Sequence, residues 1–332
     1  MPAGSHARTR LMVAMFALLL PGLSGCKYHD VAPILRTQGS APFSVDGEAN
    51  MPDRWWTSFE DPTLNRQVSL ALQSLYSLAA ALQRLRAARA LARRESSDLW
   101  PDLDGVESSD STFGPGDDRS ILTWGVDAAY QVDLWGQIES RVDAERLRAS
   151  AANADYHAAA LTLTAEVART WFSLIEAHAQ LDLLDEQIET NQIGLETMEL
   201  RFGRGFVRSA DVFRQRQLLE STHEQMVVVR ARVETLEHQL SVLQGQPPQS
   251  ADYKRWANLP KLPPLPRTGL PSDLLNRRPD VRREFLAFRA ADRDLAAAVS
   301  AQYPRISLTG SVLNVAERPE TLFRDWFVSM DE

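Results

Sequence analysis

Residues 137–193 decide the fold of this chain. They read QIESRVDAERLRASAANADYHAAALTLTAEVARTWFSLIEAHAQLDLLDEQIETNQI and contain neither proline nor glycine. Continued to Phe202, the stretch predicts a single helix about 100 Å long, because each helical residue adds about 1.5 Å. Helices of globular domains average about a dozen residues. A helix of this length is therefore predicted to belong to a coiled coil, a solenoid or a strut that spans a wide space.

The C-terminal half of this helix carries an apolar residue at every seventh position. The series consists of Val167, Leu174, Leu181, Ile188, Leu195 and Phe202. Gly203 and Gly205 end the helix, and a return helix over 209–245 follows. This return helix has its own series, made of Val212, Leu219, Met226, Val233 and Leu240. Such rows are typical of coiled coils, so we predict that the long helix, 137–203, and the return helix pack as an antiparallel hairpin.

A strand pattern precedes the long helix. Apolar and polar residues alternate along residues 121–134, and successive side chains of a strand point to opposite faces. The predicted lipid-facing side carries Leu122, Trp124, Val126, Tyr130, Val132 and Leu134, and the predicted lumen-facing side carries Asp127, Gln131 and Asp133. With a weaker strand before it, the run predicts a β-hairpin over 101–135, long enough for a membrane barrel, whose strands need about 9–11 residues. A half-buried strand of a water-soluble sheet would show the same alternation, and this alternative remains open.

The composition excludes several classes of function. The chain has 332 residues, a net charge of −8, six histidines and one cysteine. It therefore has no basic footprint for nucleic acid and few side chains for a metal site. It also lacks the motifs of zinc proteases, α/β-hydrolases, P-loop proteins and dinucleotide-binding domains. We expect no catalytic activity, no cofactor and no metal.

The N-terminus has the features of an export signal. Arg8 and Arg10 precede an apolar run over 11–20. The run is too short to span a bilayer, which takes about 20 apolar residues, and the charged residues before it are typical of a secretory signal. The sequence therefore predicts an exported protein.

The signal ends in Leu23-Ser24-Gly25-Cys26, which is similar to a bacterial lipobox. The similarity implies a lipoprotein signal peptide over 1–25, acylation of Cys26 by palmitate or a related chain, and a lipid-anchored tether over 26–54. Lys27, where aspartate would retain a lipoprotein in the inner membrane, favours the outer membrane. A plain secretory signal with an incidental cysteine is the alternative.

The chain also contains an internal repeat. A helix predicted over 63–95 leads into Trp100-Pro101 and a strand, and a helix over 279–300 leads into Tyr303-Pro304 and a strand over 304–315. Repeats of this kind indicate a fold assembled from similar units.

A proline-rich connector over 247–271 joins the first repeat, 55–246, to the second, 272–332. Proline favours extended chain, so we predict no helix in the connector. The second repeat ends before its second strand and its helical hairpin would begin. We therefore expect an incomplete second repeat in a C-terminally truncated chain.

Together these features resemble the TolC-like outer membrane efflux factors, of the lipid-anchored NodT type. The motifs that carry the resemblance are Trp55-Trp56, Asp61-Pro62-Thr63-Leu64, Trp100-Pro101-Asp102-Leu103, Val132-Asp133-Leu134-Trp135-Gly136, Arg277-Arg278-Pro279-Asp280-Val281-Arg282 and Tyr303-Pro304-Arg305-Ile306. The resemblance extends from about Trp55 to Trp326, which is nearly the whole mature chain.

The resemblance implies a fold and a role. The fold is mainly α, with long antiparallel coiled-coil helices in an α-barrel, and with a β-hairpin and an extra strand in a trimeric twelve-stranded β-barrel. The implied role is the outer membrane channel of a tripartite efflux system, with a periplasmic adaptor and an inner-membrane pump of the RND type as partners. The hairpin tip that would contact the adaptor consists of Arg204, Gly205, Phe206, Val207, Arg208 and Ser209.

Two expectations complete the interpretation. A chain with at most three strands leaves open sheet edges in lipid, where every backbone polar group needs a partner, so we expect that this chain alone does not form a conducting channel. The rival function is a lipid-anchored periplasmic adaptor, which would also have a lipobox and a long helical hairpin. The strand with membrane alternation and the internal repeat favour the channel.

Overall fold

The structure, a computed structural model, describes residues 47–112, 119–248, 253, 259–267, 277–316 and 326–331. The predicted signal peptide, Cys26 and the hairpin turn at 113–118 lie outside the described residues. The chain forms two compact units, and each is made from segments that are distant in sequence. Residues 84–153 and 281–332 belong to the first unit, and residues 38–83 and 154–280 belong to the second. This division differs from two consecutive repeats, because the long helix contributes to both units.

The first unit contains a four-stranded antiparallel sheet. Its strands are β1 (Asp102–Thr112), β2 (Arg119–Val132), β3 (Ile306–Ala316) and β4 (Trp326–Asp331), in the order β1-β2-β3-β4. In register, Gly105 pairs with Val126, Val126 with Val312, and Val312 with Val328. The two strands of the hairpin therefore join the strand of the second repeat in one sheet.

The fourth strand corrects the expectation of at most three strands. Strand β4 has six residues and pairs with Thr309–Asn314 of β3. Its sequence, WFVSMD, begins with three consecutive apolar residues, so it lacks the alternation that identifies a half-exposed strand. Residues 326–331 form a strand because they pair with β3, and their own sequence pattern does not predict it. The premise that the chain lacks a fourth strand is wrong, so a missing strand no longer argues against a conducting channel.

Five helices occupy the rest of the described chain. They are α1 (Pro62–Ser74), α2 (Tyr76–Ser97), α3 (Gln137–Gly203), α4 (Ser209–Leu243) and α5 (Pro279–Ser300), with a short 3₁₀ turn at Trp55–Phe59 before them. Helix α3 has 67 residues, which at about 1.5 Å per residue gives about 100 Å. Within the described ranges, no helix is both long and apolar enough to cross a membrane.

The helix predicted over 63–95 is two helices, separated at Leu75. This residue is extended, with φ −74° and ψ 121°. At the break Gly245 passes so close to α1 that a Cβ atom on it would lie 2.7 Å from the carbonyl oxygen of Ser74. Leu75 also packs against the core of the second unit. A tertiary contact that no local pattern shows thus interrupts a sequence of good helix formers.

The core of the second unit gathers around α3. Its fully buried members include Leu64, Val68, Trp171, Leu174 and Leu240, which come from α1, α3 and α4. Leu174 and Leu240 belong to the seven-residue series of α3 and α4. These two apolar series together, here called the seam, thus contact α1 as well as each other.

The seam becomes less buried toward the hairpin tip. Val167 and Leu174 are buried, whereas Phe202 is exposed. One polar layer interrupts the seam, where the Asn191 side-chain amide donates to the Thr222 hydroxyl over 3.1 Å. A buried polar pair in a coiled coil specifies the register of the two helices at some cost in stability. This layer therefore fixes which residues of α4 lie opposite α3 near the tip.

Asp61 joins two helices of the second unit. One carboxylate oxygen accepts hydrogen bonds from the backbone N–H groups of Thr63 and Leu64, at 2.8 and 3.1 Å, and so caps α1. The other accepts from the indole N–H of buried Trp171 in α3, at 2.7 Å. A single side chain thus satisfies the helix end and the buried indole.

Replacement of Asp61 by alanine removes the cap and leaves the Trp171 indole without its acceptor. We expect Asp61→Ala to lower the free energy of unfolding by at least about 2 kcal/mol, the sum of a lost cap and an unsatisfied buried donor. Asp53→Ala, at a nearby exposed position, is the control and should change it by no more than about 0.5 kcal/mol. Urea unfolding followed by circular dichroism measures both, and equal losses would contradict the assignment.

A buried polar cluster fastens the connector to the second unit. The Gln244 side-chain amide donates to the side-chain amide oxygen of Gln67 over 2.7 Å and to the Tyr253 hydroxyl over 3.2 Å. The Tyr253 hydroxyl also shares a hydrogen bond with the Ser241 hydroxyl. Burial raises the pKa of the Tyr253 phenol above its ordinary value of 10.0, and the Glu237 carboxylate acts in the same direction, while the two hydrogen bonds oppose them. The proline-rich connector is therefore held at this point.

The raised pKa predicts a loss of stability in alkali. The unfolded chain releases the phenol proton first, so the contribution of Tyr253 is complete below pH 10 and is lost as pH rises through the higher folded-state pKa. Tyr253→Phe should therefore show a smaller decline in unfolding midpoint between about pH 8 and about pH 11. Tyr76→Phe, at an exposed tyrosine, is the control and should decline as the wild type does. Identical pH profiles for all three proteins would contradict this account.

Candidate membrane and docking surfaces

The sheet has an apolar face. In β2 it carries Leu122, Trp124, Val126, Ala128, Tyr130 and Val132, and the registered partners in β3 include Val312, Leu308 and Ile306. Val126, Val312 and Val328 form one cross-strand row, and all three are exposed. Strand β4 adds Met330, which is 83% exposed. Monomeric soluble proteins rarely expose an apolar surface that continues across four strands.

Leu134 departs from its predicted position. Strand β2 ends at Val132, and Leu134 is an exposed residue after it. Asp133 is likewise beyond the strand, and its carboxylate accepts a hydrogen bond from the backbone N–H of Glu139 over 2.7 Å. Asp133 therefore caps the start of α3. The alternating sequence pattern extends past the end of β2 because aspartate fits the polar side of such a pattern and is also favoured near the start of a helix.

The opposite face is polar next to the helices. Asp127 lies directly opposite Asp104 of β1 and Ser311 of β3, and the Ser311 hydroxyl lies 2.7 Å from the Ser329 hydroxyl. These residues line a groove of about 250 Å³. Two carboxylates directly opposite each other repel, and water weakens that repulsion. This face, the polar face, is therefore suited to water.

Gln131 belongs to the polar face as well. It pairs with Ser307 in register. Farther from the helices this face becomes apolar, with Leu313 in β3 and Phe327 in β4. The predicted lumen-facing residues Asp127 and Gln131 thus share one face, and their exposure to a lumen stays a prediction.

Aromatic residues mark the end of the sheet next to the helices. The Trp135 ring stacks on Tyr303 at a centroid distance of 4.8 Å, and its indole N–H donates to the Pro304 carbonyl over 2.9 Å. The Ser300 hydroxyl donates to the Trp135 carbonyl, also over 2.9 Å. These contacts join the end of α5 to the β2–α3 junction, so the corresponding ends of the two repeats hold each other.

The predicted docking residues form the turn between α3 and α4. Gly205 adopts a positive φ of 76°, which glycine adopts without strain, and Phe206 N–H donates to the Arg201 carbonyl over 3.0 Å. Phe206 is 76% exposed although its backbone is fixed. Asp211 caps α4 by accepting from the Arg208 N–H over 3.1 Å. The tip therefore presents an apolar ring on an ordered turn.

Sequence reasoning missed part of the polar face. Asp104, Ser311 and Ser329 come from three strands, and only the register brings them beside Asp127. The alternation in β1 was a usable signal, since Asp102 and Asp104 lie two residues apart. Among the residues that the structure describes, no group of three or more His, Cys, Asp or Glu side chains is placed to hold a metal ion.

Comparison with known proteins identifies the family. The family described as outer membrane efflux protein matches residues 67–246, more than half of the chain. The chain belongs to the outer membrane efflux protein family. The match includes the sheet hairpin β1–β2 and the helical hairpin α3–α4, so the family assignment rests on the elements that form both surfaces.

Relatives of this efflux protein are similar over most of its sequence. The pyoverdine export outer membrane protein OpmQ of Pseudomonas aeruginosa is 27% identical over 95% of this chain and 69% of its own length. The cation efflux system protein CusC of Escherichia coli is 27% identical over 95% of this chain and 70% of its own length. The chain thus spans about two thirds of these relatives.

Solved structures confirm the predicted TolC-like fold class. The outer-membrane channel OprN superposes with a TM-score of 0.76 at 28% identity, over 91% of this chain and 72% of OprN. A CusC structure superposes with a TM-score of 0.71 at 24% identity, over 90% of this chain and 70% of CusC, and shows the fold alone. The mainly helical architecture with a small antiparallel sheet is therefore that of the family.

The sheet contains one position where a side chain cannot fit. A Cβ atom on Gly125 would lie 2.2 Å from the Val312 carbonyl oxygen and 2.8 Å from a Leu313 methyl carbon, whereas one on Gly105 would meet nothing within 4 Å. Gly125→Ala should force β2 and β3 apart, at a cost of about 1–3 kcal/mol for an overpacked site. Gly105→Ala, in the neighbouring strand, is the matched control. Heat-dependent gel migration reports the folded sheet, and equal folded fractions for the two variants would contradict the close approach.

Proposed function

We propose that this protein is the outer membrane channel component of a tripartite efflux system. In such a system small molecules pass from an inner-membrane pump of the RND type, joined by a periplasmic adaptor, through the channel. One observation carries the proposal: the chain combines a sheet that has an exposed apolar face with a helix of 67 residues that ends in an exposed hairpin tip. Membership of the efflux protein family supports it.

The apolar face and the open edges of the sheet support a position in the membrane. Strands β1 and β4 each pair on one side only within the described sheet. Lipid provides no hydrogen bonds, so a spanning sheet has to close into a barrel. Three copies with four strands each would supply the twelve strands that the family resemblance implies. The apolar face, with the predicted residues Leu122, Trp124, Val126, Tyr130 and Val132, would then face lipid, and Asp127 and Gln131 would face the lumen.

The helical hairpin supports the periplasmic part of the proposal. Its exposed tip, Arg204–Ser209, would contact the adaptor. Phe206 is the aromatic residue of this turn and is exposed, and aromatic and arginine side chains dominate the affinity of protein interfaces. Arg204 and Arg208 flank it, so the tip combines an apolar anchor with two positive charges.

The lipid anchor remains part of the proposal. Cys26 lies outside the described residues, and its lipobox supports acylation and an anchor in the outer membrane. More than one acyl chain is needed for stable anchoring, and a barrel would add a second attachment. Among the alternatives, a lipid-anchored adaptor is disfavoured by the four-stranded sheet, whose apolar face would then stand in water.

The proposed function predicts a specific role for the tip. In cells that lack their own efflux channels, the chain expressed with an adaptor–pump pair from its own genome should lower the accumulation of a fluorescent dye. Phe206→Ala should abolish this effect and reduce crosslinking to the adaptor at least about tenfold, as expected for loss of a central anchor residue. Tyr76→Ala, at another exposed aromatic residue, should keep both.

Membrane fractionation provides the control for this experiment. All variants should appear in the outer membrane at equal levels and migrate differently with and without heating, as barrels do. Recovery of the wild type in the soluble periplasmic fraction, with migration unchanged by heating, would contradict the channel assignment and favour the adaptor. Equal crosslinking by Phe206→Ala and the wild type would contradict the docking role of the tip.

A further inference from the structure

One cross-strand row interrupts the apolar face of the sheet. Glu107 of β1 pairs with Trp124 of β2, Trp124 with Asn314 of β3, and Asn314 with Trp326 of β4. Residues in one row of a sheet lie at one level along the strands and on one face. A carboxylate, an amide and two indoles therefore lie side by side on a face that is otherwise apolar toward the helices.

The two tryptophans of this row cover the asparagine. Their ring centroids are 4.9 Å apart, at an interplanar angle of 71°. Strands β2 and β4 are separated by β3, and thus by about 9.6 Å, since neighbouring strands lie about 4.8 Å apart. The rings therefore lean toward each other over β3. Asn314 beneath them is 0% exposed, so a polar amide is withdrawn from the surface at this level.

The composition of the face changes at this row. On the side toward the helices, every residue of the face is apolar or aromatic: Leu103, Gly105, Val126, Ala128, Tyr130, Val132, Ile306, Leu308, Gly310, Val312, Val328 and Met330. On the far side, β1 contributes Ser109 and Ser111, whereas β2 and β3 contribute Leu122 and Ala316. A charged side chain on a lipid face is costly at mid-membrane and tolerated near the interface. The row is therefore a boundary between two environments.

A second aromatic level lies at the other end of the strands. It consists of the stacked pair Trp135 and Tyr303. Eight residue steps separate Trp124 from Val132, which is about 26 Å along the strand. With a tilt of about 40° this corresponds to about 20 Å along the membrane normal, and the segment to Trp135 adds to it. The separation matches an apolar band about 25 Å tall between two aromatic girdles.

We propose that the row Glu107–Trp124–Asn314–Trp326 lies at the boundary between the hydrocarbon and the headgroups of the outer leaflet. The inference rests on the proposed channel function, which places the helices in the periplasm. Trp135 and Tyr303 then lie at the inner leaflet. Between this row and the Trp135–Tyr303 pair, the apolar face of the sheet contacts lipid hydrocarbon. Strands β1, β2 and β3 beyond the row lie in the headgroup layer or in water. Leu122, which is on the lipid-facing side of the proposed barrel, therefore contacts lipid headgroups rather than hydrocarbon.

Nitroxide depth measurements test this boundary. Single cysteines at Val126, Val328, Ser109 and Ser111 are introduced into the full chain with Cys26 replaced by alanine, labelled, and reconstituted in phosphatidylethanolamine–phosphatidylglycerol vesicles. The labels at 126 and 328 should be relaxed mainly by dissolved oxygen, and those at 109 and 111 mainly by a water-soluble nickel complex. The ratio of the two effects should reverse between 109 and 126.

The outcomes separate failure of the boundary from failure of the proposed function. If labels at 109 and 111 are as shielded from nickel as those at 126 and 328, the hydrocarbon extends past the row and the boundary is wrong. If labels at all four positions are accessible to nickel, the sheet is not in the membrane and the channel function fails as well. Heat-dependent migration of each labelled protein shows that it has folded.

Charge substitutions provide a second test that needs no label. Arginine at the middle of the apolar band reduces the folding of membrane barrels strongly, whereas arginine at the interface has little effect. Val126→Arg should therefore lower the amount of folded protein in the outer membrane at least about tenfold. Ser109→Arg, on the same face beyond the row, should leave it within about twofold of the wild type. Equal losses for both variants would overturn the boundary.

Discussion

A backbone N–H or C=O group that faces hydrocarbon without a partner costs several kcal/mol, and the arrangement of this chain follows from that constraint. Its sheet pairs β1, β2, β3 and β4 internally, and β1 and β4 each keep one outer edge without a partner strand within the described sheet. An exposed edge of this kind invites association in water. In the proposed channel the same edge is the contact that closes the barrel, so membrane insertion and assembly are one process.

The helical part solves a different problem, which is to keep a distant tip in a defined position. Helix α3 is continuous over 67 residues, and its C-terminal end forms one side of the hairpin that carries the tip. Its packing is strongest around Trp171 and Leu174, where α1 and α4 both contact it, and weaker near Phe202. The Asn191–Thr222 layer lies between these regions and limits slippage of α4. The packing around Trp171 and Leu174 and the Asn191–Thr222 hydrogen bond together hold α3 against α4, although few buried apolar contacts lie near the tip.

The parts that were predictable from the sequence are those whose cause is local. The absence of proline and glycine predicted α3, and alternation predicted β2. The missed features depend on contacts between distant residues: β4 needs β3, and the break at Leu75 needs Gly245. Asp133 was placed in the strand although it lies beyond the end of β2, because aspartate occurs both in alternating strands and at helix caps. The polar groove around Asp127 required the register, which a single strand cannot reveal.

The polar face also determines how the sheet is oriented. Asp104 and Asp127 lie opposite each other, an arrangement that repels in any medium and costs least in water. Turned toward lipid, both carboxylates would lose their hydration as well, and no cation of the described sheet is placed between them. The apolar face has the opposite preference, since Val126, Val312 and Val328 gain about 25 cal/mol for each Å² that leaves water. Because the two preferences act on opposite sides of the same strands, they favour a single direction of curvature, with Asp127 inside and Val126 outside.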